Sequence, residues 1–95
     1  MNYLISKAVL FTKENCAPCL NLKASLARLP DDKTEHLTIM NSENHPALVA
    51  AYELEKFPTL LLLNTEGEEI TRIIGGKKIE ANLLNTLNTI NFNRQ

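Results

Sequence analysis

Ninety-five residues suit one domain with a single modest core, and are too few for two. A hydrophobic share of 44 % beside 22 % charged residues is that of an ordinary soluble globular chain. A net charge of -1 with no dense basic run excludes a nucleic-acid footprint.

In chain order, a first strand is expected over Tyr3–Thr12, with Ala8-Val9-Leu10-Phe11 as its continuous apolar part. Such a run points to a strand covered on both faces. Next come Lys13, Glu14 and Asn15, then the only two cysteines, Cys16 and Cys19, around Ala17-Pro18. A helix is expected from near Cys16 to about Leu29, with Leu22, Leu26 and Leu29 at i, i+4 and i+7. Asn15 is its expected cap, and Pro18 falls in the first turn, where a missing N–H costs nothing. Pro30-Asp31-Asp32 is expected to end it.

His36–Asn41 reads as a second strand with Leu37 and Ile39 on one face, completing a βαβ unit with parallel strands and a right-handed crossover. Ser42-Glu43-Asn44 offers capping side chains before a short helix over Pro46–Glu53, whose inner face is Leu48, Val49 and Tyr52. Thr59–Asn64, with Leu60 to Leu63 inside it, is a third strand. Thr65-Glu66-Gly67 makes a turn, and Glu69–Ile74 pairs back as a fourth strand. After Gly75-Gly76 a last helix is expected to bury Ile79, Leu83, Leu84, Leu87 and Ile90, with 92–95 fraying. The expected fold is α/β, in the order β-α-β-α-β-β-α: one domain over 1–95, with a four-stranded mixed sheet and helices on both faces.

Two thiols at this spacing at a helix start can close on each other and reopen. Half of a zinc site, or two buried neighbours, would look the same. A four-ligand zinc site needs two more nitrogen or sulfur ligands, and only His36 and His45 remain. The strand before the pair and the helix after it favour redox chemistry. No apolar stretch reaches membrane-spanning length. The start Met1–Lys7 lacks the features of a signal peptide. The expectation is a cytoplasmic protein, where structural disulfides are rare and paired thiols more often catalytic.

Taken together, Cys16-Ala17-Pro18-Cys19 and the downstream Phe57-Pro58-Thr59 before an apolar strand resemble the thioredoxin/glutaredoxin superfamily. The resemblance covers nearly the whole chain. Tyr52–Leu63 is similar to the thioredoxin segment that holds a cis-proline and runs into the next strand. Gly67 and Gly75 fall where that family places its hairpin turn and a later glycine. The extra N-terminal strand and helix of thioredoxins are missing, which resembles glutaredoxins. Lys13 and the pair Gly75-Gly76 also resemble glutaredoxin positions that contact glutathione. Two further departures are Leu10, where thioredoxins carry a buried aspartate, and Lys77-Lys78, where glutaredoxins place small polar or acidic residues.

The resemblance implies a thioredoxin-like fold and a dithiol–disulfide oxidoreductase without a bound cofactor, working through a redox-active Cys16–Cys19 disulfide. Cys16 would attack and Cys19 would resolve, with the positive end of the helix favouring the Cys16 thiolate and Lys13 adding to it. Pro18 would stiffen the motif, and a cis Pro58 would pack on the disulfide. Ala17, Phe57, Gly75 and Gly76 would contact substrate, with the Phe57 backbone pairing to an extended strand. With Leu10 in place of an acid, proton transfer from Cys19 would rely on water or Glu14. Implied partners are a disulfide-containing protein, such as ribonucleotide reductase, and either thioredoxin reductase or glutathione as electron source. Neither nucleic acid, membrane nor metal is implied, and the expected state is a monomer. Two rival readings are a non-catalytic binding module using the same surface and a metal or iron–sulfur carrier bridging two protomers through Cys16.

Overall fold

The computed structural model describes residues 3–93. Its elements are β1 (Lys7–Thr12), α1 (Ala17–Ala27), α2 (Asp31–Thr34), β2 (Leu37–Asn41), α3 (Pro46–Ala51), β3 (Thr59–Leu63), β4 (Glu69–Ile74) and α4 (Gly76–Asn93). The strands form one sheet in the order β2-β1-β3-β4. β1 runs parallel to β2 and antiparallel to β3, and β3 pairs antiparallel with β4. The expected parallel pair followed by a hairpin is the observed topology.

Alternation along the central strands divides the core in two. Ala8, Leu10, Leu60 and Leu62 face Leu22 and Leu26 of α1 and the buried stripe of α4. Val9, Phe11, Leu61 and Leu63 face the other way, against Leu54 and the half-buried Leu48, Val49 and Tyr52. Helices therefore cover both faces, which is why Ala8–Phe11 of β1 and Leu60–Leu63 of β3 are unbroken apolar runs rather than alternating ones.

The departures lie at element ends. Tyr3–Ser6 is not strand, although the Ser6 N–H still donates to the Leu63 carbonyl at 2.9 Å. α1 stops at Ala27, and Pro30-Asp31-Asp32 opens a new helical turn, α2, instead of only ending the old one. Pro30 is its N-cap, with Asp31 and Asp32 at the positive end of the turn and Lys33 at the negative end. α3 ends at Ala51, because Tyr52 is its C-cap and Glu53 turns left-handed at φ 53°. On α4, Ile79, Leu83, Leu87 and Ile90 are buried but Leu84 is 55 % exposed. One residue is about 100° of helix rotation, so Leu83 and Leu84 cannot share a narrow stripe. α4 also runs through Asn93, whose side-chain amide donates to the Ile5 carbonyl at 2.8 Å. Phe92 and Asn93, expected to fray, belong to α4, and Arg94 and Gln95 lie outside the described residues.

Candidate active site

Pairing of Phe11 with Thr59 and of Thr59 with Ile74 sets the ends of β1, β3 and β4 side by side. The loops beyond those ends carry Cys16, Pro58 and Gly75. β1 ends at Thr12, whose buried hydroxyl donates to the Met40 carbonyl at 3.4 Å. Asn15 then adopts a left-handed φ of 54°. Asparagine tolerates this better than most residues. The sharp turn means that Cys16, not Asn15, caps α1.

The Cys16 Sγ accepts the Cys19 N–H at 3.2 Å, and the Cys16 carbonyl accepts the Leu20 N–H at 3.1 Å. Cys16 and Cys19 are joined as a disulfide with their Cα atoms 5.2 Å apart. Cys16 is 5 % exposed and Cys19 1 %. A sulfur at the cap position meets an unpaired helix N–H and the positive end of the macrodipole, which together favour a thiolate by about 1 kcal/mol. The first turn of α1 contains no acidic residue to oppose this.

Around the pair, Ala17 and Pro18 are exposed, as is Ile74 at the end of β4. The Phe57–Pro58 peptide is cis, and Pro58 is fully buried. The Thr59 hydroxyl donates to the Lys56 carbonyl across it, closing the turn. Phe57 is half-buried, and neither its N–H nor its C=O bonds to another described residue. A sheet-like partner is therefore available there to an extended chain.

Both glycines near the site have internal roles. The Gly75 N–H donates to the Pro58 carbonyl at 3.0 Å, at a φ of 100° that side chains disfavour. At Gly76 an added Cβ would come within 2.8 Å of the Pro18 Cβ, so the start of α4 rests directly on the Cys-x-x-Cys turn. Lys13 is exposed on the loop before Cys16. Leu10 is buried in the core, and every described Asp and Glu is exposed, so none is a core neighbour for Cys19. Glu14 does not point into the site as a relay would: its carboxylate accepts the Asn41 amide at 2.7 Å, and its N–H donates to Glu43 at 2.9 Å.

That Glu14–Asn41–Glu43 network ties the active-site loop to the turn after β2. Sequence reading missed it, although Ser42-Glu43-Asn44 stood out as a capping run. Asn41 itself caps the turn, accepting the Glu43 N–H at 2.9 Å. Of the two histidines, His36 lies before β2 beside Glu35, and His45 caps α3. Among the described residues, no group of three or more His, Cys, Asp and Glu side chains converges as a metal cage would.

A disulfide capping a helix beyond the strand ends of this mixed sheet defines a thioredoxin-like fold with a redox-capable Cys-x-x-Cys. The thioredoxin family model matches residues 5–89, and the chain belongs to that family. Similar solved structures are thioredoxins. That of Trypanosoma brucei brucei is 18 % identical, with a TM-score of 0.71 over 92 % of this chain and 75 % of that one. Fasciola hepatica thioredoxin is 19 % identical, with a TM-score of 0.69 over 88 % and 81 %. Thioredoxin 1 of Thermosipho africanus is also 19 % identical, with a TM-score of 0.66 over 86 % and 90 %. No curated protein matches the chain. Family membership and a Cys-x-x-Cys pair at disulfide distance together support a thiol–disulfide oxidoreductase.

Proposed function

We propose that this protein reduces disulfides in other proteins and is itself recycled in the thioredoxin manner, by a flavin-dependent thioredoxin reductase in a reducing compartment such as the cytoplasm. The observation that carries the reading is the Cys16–Cys19 disulfide at the start of α1, beside the unpaired backbone of Phe57. In the reduced protein the Cys16 thiolate attacks one sulfur of a substrate disulfide. The substrate S–S bond breaks, a Cys16–substrate S–S bond forms, and the second substrate sulfur leaves as a thiolate and takes up a proton. Cys19 then loses its proton and attacks the Cys16 Sγ. The mixed disulfide breaks, the Cys16–Cys19 bond forms, and the substrate has gained two electrons and two protons.

Pro18 sets the spacing of the two sulfurs, and Gly75 braces Pro58 from behind. Ala17, Phe57 and Ile74 form an apolar surface on which a substrate strand can lie. Ribonucleotide reductase, which must be reduced after each turnover, is a substrate of the right chemistry.

Recycling by glutathione is the second reading, favoured by the exposed Lys13 three residues before Cys16. The engagement of Gly75 with Pro58 and of Gly76 with Pro18 favours the first. A coupled NADPH assay separates them. Thioredoxin reductase with insulin is run beside glutathione, glutathione reductase and a small mixed disulfide. Turnover in the first arm alone is expected, and turnover in the second alone would reassign the electron donor. Silence in both with intact thiols would leave a binding module, whose biological role a Cys16→Ser substitution would not disturb.

A further inference from the structure

Bordered by Phe57, the residue before the cis Pro58, a cleft of about 470 Å³ opens between α3 and the Glu53–Phe57 segment. Its floor is apolar, with Pro46, Val49, Leu54 and Phe57 lining it. Its rim is not: Glu43, Glu53 and Glu55 all border it, and no Lys or Arg does. Among the described residues the ion pairs are His36–Glu35 and Arg72–Glu69, so none of the three rim carboxylates is neutralised by one. Arg72 feels the Glu53 charge, but its guanidinium is committed to Glu69 and to the Tyr52 carbonyl. The chain as a whole carries a net charge of only -1, so this concentration of negative charge is local.

Continuity with the disulfide comes from both ends of the cleft. Phe57, with its unpaired backbone, precedes Pro58. Glu43 holds the N–H of Glu14, two residues before Cys16. Phe57 thus belongs both to the cleft and to the backbone on which an extended substrate chain would pair. Fixed charges on a low-dielectric wall focus their field, raise the local concentration of the opposite charge and repel the same charge.

We propose that this acid-rimmed cleft receives the segment flanking the attacked cysteine of a protein substrate, and selects segments that carry Lys or Arg beside an apolar residue. The apolar side chain fills the floor, and the cation reaches the Glu43, Glu53 and Glu55 carboxylates. This inference rests on the proposed disulfide exchange at Cys16, and it names the substrate class that exchange would prefer.

The test uses the reduced full-length protein and three peptides of one sequence. Each carries a central cysteine as an uncharged 2-thiopyridyl disulfide, flanked by Leu with Lys, Gln or Glu. Release of pyridine-2-thione gives the rate of attack. At low salt the Lys peptide is expected to react about tenfold faster than the Glu peptide. The gap should narrow as the Debye length shortens to about 8 Å near 0.15 M salt. In Glu43→Gln/Glu53→Gln/Glu55→Gln protein the Lys-to-Glu rate ratio should fall towards one. Equal rates in the unmodified protein, a ratio indifferent to salt, or a ratio unchanged in the variant would overturn the inference. The thiopyridyl disulfide of mercaptoethanol is run alongside. No release from it would overturn the exchange reading and this inference with it, whereas release from it with equal peptide rates overturns this inference alone.

Discussion

Pro18 links the two helices that meet at the site. It occupies the second position of α1, between the cysteines, and its ring is the surface against which Gly76 begins α4. A methyl group at position 76 would meet ring carbon rather than a flexible side chain, so Gly76→Ala is expected to cost about 1–2 kcal/mol as an overpacking change. Chemical denaturation reads this, and in a Pro18→Gly background the cost should largely vanish. An equal cost in both backgrounds would break the proposed contact. Cys16, the proposed attacking thiol, is slightly more exposed than Cys19, the proposed resolving one. Cys19→Ser is therefore expected to accumulate a mixed disulfide between Cys16 and substrate, seen as a mass increase, and Cys16→Ser to form none. That the two cysteines lie at a helix start within pairing distance was legible in the chain, because spacing and helix context are local. The partner of Gly76 was not, since it depends on how two distant helix starts converge. The same is true of Glu14, whose bonds to Asn41 and Glu43 reach across to the end of β2.

Helices and strands were readable wherever their apolar period was unbroken, and misread where two leucines adjoined. Leu83 and Leu84 look equivalent in sequence, yet only Leu83 faces the sheet. Leu83→Ala is expected to cost about 2–4 kcal/mol. Leu84→Ala should stay within about 0.5 kcal/mol, as befits an exposed position. Turn chemistry was harder to see than periodicity. Asn64 is buried, and its side-chain Oδ1 accepts the N–H groups of Glu66 and Glu68 at 2.9 and 3.0 Å, organising the β3–β4 hairpin. α3 is fastened to that hairpin by the Tyr52 hydroxyl on the Gly67 carbonyl and by Arg72 on the Tyr52 carbonyl, each at 2.7 Å. Hydrogen bonding to Arg72 holds the Glu69 carboxyl below its usual range. A lowered folded-state pKa stabilises above the unfolded value, about 4.3, and that contribution is lost as pH falls through the folded one. Glu69→Gln should therefore cost about 0.5 kcal/mol near neutral pH, as a surface pair does. The difference from the unmodified protein should shrink as pH falls from the unfolded value through the lowered folded one. A gap that widens in acid would contradict the pairing.

Over the whole molecule, strand order follows from constraints visible in the chain: one βαβ unit forces a parallel pair, and one short turn forces a hairpin. The remaining choice, β1 beside β3, places the two strands that are buried at every apolar position in the middle. β1 and β3 are bonded on both edges, so their amides should exchange with solvent most slowly, and those of the edge strands β2 and β4 sooner. Native-state hydrogen exchange would show this, and slowest exchange in β2 would argue against the sheet order. The same arrangement brings three strand ends together and so builds the site from Cys16, Pro58 and Gly75. We propose that this site passes electrons to protein disulfides. The most direct measurement follows NADPH consumption with thioredoxin reductase and insulin, comparing the unmodified protein with Cys16→Ser. Turnover that disappears in the variant is the predicted result. No turnover by the unmodified protein, or equal turnover by both, would contradict the claim.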